Sequence, residues 1–253
     1  MEINKQIAQE LSIRTEQVQA AVTLLDDGAT VPFISRYRKE VTGSLDDTIL
    51  RNLEERLGYL RELEERKQAV LKSIKEQEKL TPELEKSILS AETKTRVEDL
   101  YLPYKPKRRT KAQIAKEAGI EPLALALLAD HALVPEQAAE QYINAEKGFT
   151  ETKAVLDGAK QILMEKFAED AELIGKIRSY LWQHAKVVTS VVKGKEEEGQ
   201  KFSDYYNYEE PIAKIPSHRA LAILRGRREG ILNLTLTIPE PENQAFNEPE
   251  QMI

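Results

Sequence analysis

The chain has 253 residues, with 43 Asp or Glu against 37 Lys or Arg, a formal net charge of −6, and no cysteine. This length is enough for a substantial core in one large or two small domains. The lack of cysteine excludes disulfides and thiolate metal sites, and no apolar run approaches the 18 residues of a membrane helix. With no signal-peptide pattern at its start, the sequence predicts a soluble, cytoplasmic protein without a membrane partner.

Charged residues make up 32% of the chain and aromatic residues only 6%, and Ala, Leu, Glu, Lys and Gln are abundant. These residue types favour helix. We therefore expect a mainly α protein: an elongated assembly of several helices with helix–turn–helix-like elements and a small C-terminal β element. The predicted regions are residues 1–80 with a long helix, 81–185 with a basic Pro-framed loop, 186–238 as a small α/β junction element, and 239–253 as an acidic linker or tail.

Residues 1–25 have the spacing of two short helices, separated by a turn at Ser12 to Arg14, with Thr15 as the predicted N-cap of the second helix. This is a helix–turn–helix outline, compatible with a packed helical hairpin or with a DNA-groove reader. The hairpin is favoured because the second helix begins Glu16-Gln17 and lacks a basic surface for phosphates. Residues 26–32 carry turn signals and predict a loop.

The first basic patch follows this loop and consists of Arg36, Arg38 and Lys39 around Tyr37. Two interpretations stay open. Either the patch contacts nucleic acid, or it is half buried after the apolar pair Phe33-Ile34 and its charges pair with surface Glu.

A long helix is predicted from Asp46 to Lys79, where acids suit the start and leucines recur at spacings of three and four. The apolar positions are Leu50, Leu53, Leu57, Leu60, Leu71 and Ile74. Glu64 and Lys67 interrupt this seam, so a sustained coiled coil is not expected. Glu62 and Arg66 are predicted to form an i,i+4 ion pair.

The second basic patch lies in the block Lys94–Lys116, which follows a helix predicted to be capped by Thr81 at Pro82. The block has eight Lys or Arg and two acids, a local charge of +6. Pro103 and Pro106 break helix, so an exposed loop is expected there. The candidate nucleic-acid contacts of this block are Tyr104, Lys105, Lys107, Arg108, Arg109 and Lys111.

A second helix–turn–helix outline runs from Gln113 to Leu128, with Gly119 in the left-handed position that ends the first helix. Its second helix is rich in Leu and Ala, which favours burial in the core over DNA reading. Further helices are predicted at Pro135 to Glu146, Thr150 to Phe167 and Ala171 to Ala185. Gly158 in the middle one permits close helix approach.

The pattern then changes to strands at Lys186 to Val192 and Ile231 to Ile238, with a short helix near Ser217 to Arg225 between them. Two strands alone are marginal, so they must pack on the helices or pair with another element. Residues 211–228 hold five bases and no acid. This segment contains the third basic patch, whose candidate contacts are Arg219, Arg225, Arg227 and Arg228. A basic turn is predicted from Gly226 to Gly230. Residues 239–253 have the Pro-rich acidic composition of a disordered linker, which predicts a piece of a longer chain.

No catalytic, metal or cofactor site is predicted. The three histidines lie more than 30 residues apart, no metal-ligand spacing is present, and no Gly-rich phosphate loop occurs. We therefore expect a protein that is not an enzyme. The three basic patches predict backbone-mediated contact with RNA or DNA, and Tyr37, Tyr101 and Tyr104 are candidates to stack on unpaired bases. The alternative is that these tyrosines fill the core.

Four strings together resemble the N-terminal region of the Tex family of bacterial transcription accessory proteins. They are Thr30–Glu40, Leu53–Leu57, Glu98–Arg109 and Ile215–Leu221. The resemblance implies a mainly helical region with helix–turn–helix-like elements. In the family this region precedes a ribonuclease-H-like domain, helix–hairpin–helix elements and an S1 domain, none of which this sequence contains, so the family's activity is not carried over whole.

Two functions therefore remain in view. The first is a binding module that adds sequence-nonspecific basic contacts to a nucleic-acid complex. The second is a structural scaffold whose basic motifs dock onto RNA polymerase or onto the absent domains of the full-length protein, with little nucleic-acid affinity of its own.

Overall fold

The computed structural model describes residues 3–238, which form two compact units, the first ending at Lys105 and the second beginning at Pro106. The fold is mainly α, as the composition predicts. The helices of the first unit are α1 (Ile3–Glu10), α2 (Thr15–Asp26), α3 (Val31–Tyr37), α4 (Lys39–Thr42), α5 (Asp47–Glu76), α6 (Pro82–Leu89) and α7 (Lys94–Tyr101), followed by a 3₁₀ turn at Leu102–Tyr104. The boundary placed near residue 80 from the sequence falls inside this unit, where α6 and α7 pack against α5.

The core of the first unit is built on the leucine seam of α5. Leu50, Leu53, Leu57 and Leu60 are buried as their spacing predicts, and Leu63 and Val70 extend the seam. The interruption at Lys67 is also buried. Its ammonium Nζ donates a hydrogen bond of 2.8 Å to the Leu89 carbonyl oxygen at the end of α6, so the charge satisfies a helix C-terminus that would otherwise lack a donor.

Several helices of the first unit begin close to the residues predicted from the sequence. The Asp46 carboxylate accepts from the Ile49 N–H at 2.8 Å, and Thr81 accepts from the Leu84 N–H. The N-cap of α2 is wrong by one residue, because Arg14 takes that position and Thr15 is already helical. The predicted loop 26–32 ends early, because Val31 and Pro32 open α3, where a proline is tolerated in the first turn.

The predicted ion pair within α5 is wrong. Arg66 instead donates from Nε and Nη2 to the Glu98 carboxylate on α7, at 2.5 and 3.1 Å, and Glu62 binds Lys94 at the start of α7. These pairs connect two helices, because α7 brings opposite charges closer to both residues than they are to each other. The Arg66 hydrogen bonds hold the pKa of Glu98 below its usual value.

The second unit contains the remaining helices and a sheet. Its elements are α8 (Lys111–Glu117), α9 (Glu121–Ala129), α10 (Pro135–Glu140), α11 (Thr152–Ala168), α12 (Ala171–His184), β1 (Lys186–Val191), β2 (Asn207–Pro211), α13 (Ser217–Arg228) and β3 (Leu232–Thr237), with 3₁₀ segments at Ala145–Lys147 and Gln200–Tyr205. The prediction that a helix runs to Glu146 is wrong, since α10 ends at Glu140. The chain then turns so that Asn144 and Phe149 pair as an isolated β-bridge.

The helical core of the second unit centres on α11, which packs against α8 and α9. Val155, Ala159 and Ile162 are fully buried, and Gly158 faces α8. Between α8 and α9, Gly119 has the predicted left-handed conformation with φ 86°. Leu123 and Ala124 of α9 are buried, which confirms the prediction that this helix belongs to the core.

The sheet has the order β2-β1-β3, and both pairings are antiparallel. The two predicted strands are confirmed as β1 and β3, and the partner that they require is β2, which the sequence analysis missed. Helix α13 packs on β3 and continues to Arg228, so the predicted basic turn from Gly226 is helical up to that residue. Residues 239–253, predicted to be a linker or tail, lie outside the described residues. Within residues 3–238, no helix is long and apolar enough to cross a membrane.

Candidate nucleic-acid interface

The three basic patches lie on separate elements, and they differ in how many of their charges are already paired. The first lies on α3 and α4 of the first unit, the second on the segment leading into α8, and the third on α13. Because a cation that is already bound to a carboxylate must lose that partner before it binds a phosphate, the pairing decides which residues are available.

The α3–α4 patch consists of Phe33, Arg36, Tyr37, Arg38 and Lys39. All five side chains are exposed, Phe33 to 41% and Tyr37 to 62%. The rings of Phe33 and Tyr37 are one helical turn apart, with centroids separated by 5.4 Å, and the Arg38 guanidinium lies 5.2 Å from the Phe33 centroid. None of the three basic residues forms an ion pair with an acid among residues 3–238. The alternative that this patch is half buried and paired is therefore wrong.

The sequence of α3 explains why this patch faces outward. Val31 and Ile34, three residues apart, are buried in the core, and Phe33, Arg36 and Tyr37 lie outside this buried stripe of the helix. The patch is also anchored at its far end. The hydroxyl of buried Thr42 donates to the Arg38 carbonyl at 3.2 Å.

A side-chain amide from α2 adds a second anchor at the end of α4. Gln17 Nε2 donates to the carbonyl oxygens of Thr42 and Gly43, at 3.1 and 3.0 Å. Gly43 has φ 64°, and a Cβ there would lie 2.9 Å from the Gln17 amide nitrogen, so glycine permits this approach. The patch thus sits on a backbone held by two side chains.

The second patch is exposed as predicted, but acids from α8 and α11 neutralise part of it. Lys107 pairs with Glu169, with Glu165 3.9 Å away. Arg109 binds Glu117, and this hydrogen bond lowers the pKa of the Glu117 carboxyl. Arg108 and Lys111 are exposed and make no ion pair with an acid among residues 3–238.

The residues of this patch that precede Pro106 belong to the first unit. Lys105 is exposed, and its charge contributes to lowering the pKa of Glu98. Tyr104 is half-buried, and its carbonyl oxygen accepts from Gln77 at 2.9 Å. Tyr101 is buried, with its hydroxyl 2.9 Å from that of Ser73, so the suggestion that it stacks on bases is wrong.

The third patch, on α13, is mixed in charge and apolar character. Arg219 lies 3.3 Å from Glu210, and Arg225 lies 2.8 Å from Glu229. Arg227 and Arg228 are exposed and unpaired within the described part of the chain. On the same helix Leu221 is 67% exposed and Leu224 52% exposed.

Two features of these surfaces differ from what the sequence suggests. The apolar pair Phe33-Ile34 suggests burial, whereas the Phe33 ring is part of the exposed patch. Lys107 has acidic partners 58 and 62 residues along the chain, Glu165 and Glu169, whose side chains are only 17% and 19% exposed. Glu165 lies on the helix predicted from Thr150 to Phe167 and Glu169 lies two residues beyond it, but nothing in the sequence shows which surface these acids face.

The arrangement offers positive charge and aromatic surface. Among residues 3–238, no group of three or more His, Cys, Asp or Glu is placed to hold a metal ion. The molecule is therefore defined as a mainly helical protein with a small antiparallel sheet and exposed basic surfaces.

Comparison with known proteins identifies the family. Residues 1–75 match the Tex-like protein N-terminal domain, and residues 130–253 match the description Tex central region-like. The chain belongs to the Tex family.

Similarity to individual relatives extends over nearly the whole chain. Protein YhgF of Escherichia coli is 63% identical over 243 residues, and Transcriptional accessory protein Tex of Neisseria gonorrhoeae is 62% identical over 236 residues; the matches cover 96% and 93% of this chain and 31% of each relative. The human S1 RNA-binding domain-containing protein 1 is 30% identical over 258 residues, covering 97% of this chain and 26% of that protein. The chain thus spans between about a quarter and a third of the length of these relatives.

Proposed function

We propose that this chain is a non-enzymatic, nucleic-acid-binding region of a transcription accessory protein, which contacts the backbone of RNA or DNA without reading sequence. The observation that carries the proposal is the α3–α4 patch, where Arg36, Arg38 and Lys39 are exposed and have no carboxylate partner among the described residues. Arg108, Lys111, Arg227 and Arg228 add unpaired cations of the same kind. The names of two relatives, one a transcriptional accessory protein and one an S1 RNA-binding domain-containing protein, support the same function.

The salt dependence of binding follows from the number of phosphates contacted. If each of the three cations of the patch displaces one counterion, log K falls with log[salt] with a slope of about −2 on a single strand and about −2.7 on a duplex. Raising the salt from about 50 to about 200 mM then weakens binding roughly 20-fold to 40-fold. Contacts made by the other patches would make the slope steeper.

The test is fluorescence-anisotropy titration of labelled single-stranded RNA and duplex DNA at these two salt concentrations. A variant with Arg36, Arg38 and Lys39 changed to Glu is expected to bind more weakly and to have a salt slope reduced by about 2–2.7. The matched control changes Lys72, Lys75 and Lys79 to Glu, since these lysines of the first unit are exposed and unpaired and alter the net charge equally. Absence of binding by the unmodified chain at both salts, or equal loss in both variants, would overturn the proposal.

A second candidate function, a scaffold that docks onto protein, is favoured by one observation on α13. Leu221 and Leu224 are exposed beside Arg225 and Arg228, a combination of apolar and basic side chains typical of protein contact surfaces. RNA polymerase is the proposed partner, in the cytoplasm. Biolayer interferometry with purified RNA polymerase tests this candidate: the unmodified chain should bind and a Leu221→Ser, Leu224→Ser variant should not. Equal signals from the two chains would refute it.

A further inference from the structure

We propose that Phe33 and Tyr37 form a stacking platform for unpaired nucleobases, so that the α3–α4 patch binds a single nucleic-acid strand through its bases as well as its phosphates. The inference rests on the proposed function and specifies the ligand of the same site. It starts from two partly or largely exposed aromatic rings that do not belong to the hydrophobic core of the first unit.

The two rings are displayed outward. Tyr37 keeps well over half of its surface in solvent and Phe33 about two fifths, while Val31 and Ile34 of the same helix fill the core. Burial of aromatic rings is a major favourable term in folding, so two neighbouring rings left outside represent apolar surface available to a ligand.

The charges around the rings select the kind of ligand. Residues 33–41 contain three bases and one acid, Glu40, and none of the bases forms an ion pair with an acid among residues 3–238. The Arg38 guanidinium lies over the Phe33 ring, 5.2 Å from its centroid, which places a cation on one face of that ring. A ligand that presents alternating flat aromatic faces and negative charges can contact both the rings and the basic side chains. An unpaired nucleic-acid strand has that composition.

The geometry favours unpaired over paired bases. Phe33 and Tyr37 are tilted by 45° to each other on the outer side of a seven-residue helix. Side chains in this position reach the face of a base only when that face is not covered by the neighbouring bases of a duplex. Bases of a single strand can be splayed apart and stacked one by one.

The experiment separates base contacts from phosphate contacts. Anisotropy is measured with a single-stranded DNA oligonucleotide of mixed sequence and with an abasic oligonucleotide of the same length and charge. A variant with Phe33 and Tyr37 both changed to Leu removes the rings and keeps apolar side chains. The matched control is Trp182→Leu, which removes an exposed aromatic ring from α12 of the second unit.

The platform predicts that the double Leu variant binds the base-containing strand about 5-fold to 150-fold more weakly, the range expected for loss of one stacked base. Its affinity for the abasic strand and its salt slope should equal those of the unmodified chain, and Trp182→Leu should change nothing. A Tyr37→Trp variant, which enlarges the ring, should bind the base-containing strand at least as tightly as the unmodified chain.

Two results would overturn the inference and are distinguishable from failure of the proposed function. If the unmodified chain binds both strands equally and salt-dependently, the patch contacts phosphate only, and the proposed function stands without the platform. If the rings matter for RNA polymerase binding and not for the oligonucleotides, the surface belongs to a protein partner. Absence of binding to either strand at either salt would sink both proposals.

Discussion

A substitution at Gly158 tests the close packing of α11 against α8. A Cβ at this position would lie 2.9 Å from Phe149 Cε1, 3.1 Å from Ile120 Cδ1 and 3.2 Å from Ala115 Cβ. The first two atoms are ends of side chains. The third is attached directly to the backbone of α8, so it moves only if the helix moves.

The expected magnitude combines two opposing effects. Replacing glycine by alanine inside a helix stabilises the folded state by about 1 kcal/mol, because alanine loses less backbone entropy. Adding a methyl group to a tightly packed core costs about 1–3 kcal/mol. Gly158→Ala should therefore lower the free energy of unfolding by up to about 2 kcal/mol. A Cβ at Gly175, in α12 of the same unit, meets nothing within 4 Å, so Gly175→Ala should raise the free energy of unfolding by up to about 1 kcal/mol.

The assay is urea unfolding followed by circular dichroism at 222 nm for both variants. The opposite sign of the two changes is the informative result, because helix propensity is shared and only the packing differs. If Gly158→Ala stabilises the protein as much as Gly175→Ala does, the close approach of α8 and α11 described here is wrong.

Three further predictions concern the first unit. Lys67→Met keeps the length of the side chain but leaves the Leu89 carbonyl oxygen without its donor, so urea unfolding should show a loss of about 1.5–3 kcal/mol. Tyr101→Phe removes the hydroxyl contact with Ser73 and should cost about 1 kcal/mol in the same assay, while oligonucleotide affinity stays unchanged because the ring is buried. Glu98 has a pKa held below its usual value by Arg66, so its stabilising effect is present above that usual value and is lost as pH falls through the lowered one. Between about pH 6 and pH 3 the free energy of unfolding should therefore fall by about 0.5–1 kcal/mol more in the unmodified protein than in Glu98→Gln. The difference is small because the Arg66–Glu98 pair is partly exposed. Parallel curves of unfolding free energy against pH would contradict this.

Features fixed by neighbouring residues could be predicted from the sequence. The leucine seam of α5 follows from a spacing of three and four, and the start of α5 from the acids Asp46 and Asp47. The cap of α6 follows from Thr81 before Pro82, and the turn after α8 from a glycine, Gly119, at the end of the helical pattern. Each of these depends on a few consecutive residues, so no knowledge of the tertiary fold is needed.

Features that depend on distant partners could not be predicted. Strand β2 has the sequence Asn207-Tyr208-Glu209-Glu210-Pro211, which contains little β-branched character and two acids, and it forms because β1 offers it a backbone ladder. The pairing of Arg66 with Glu98 spans 32 residues, and a competing partner at i−4 looked equally good. A local charge pattern shows which residues could form an ion pair, but the tertiary contacts determine which pair forms.

Because the fold decides which cations are paired, the basic patch with the highest local charge is not expected to contribute most to nucleic-acid binding. The block around Lys105 to Lys111 has the highest local positive charge, yet Lys107 and Arg109 are held by glutamates, and of the three residues 107–109 only Arg108 lacks a partner within the described part of the chain. Changing Lys107, Arg108 and Arg109 to Glu should therefore reduce the salt slope of nucleic-acid binding by about 1, whereas the same change at the three bases of the α3–α4 patch should reduce it by about 2–2.7. The two variants have the same net charge, so their anisotropy titrations differ only in which cations were available. A larger effect at residues 107–109 would mean that nucleic acid displaces the glutamates readily and that charge density, not pairing, ranks these surfaces.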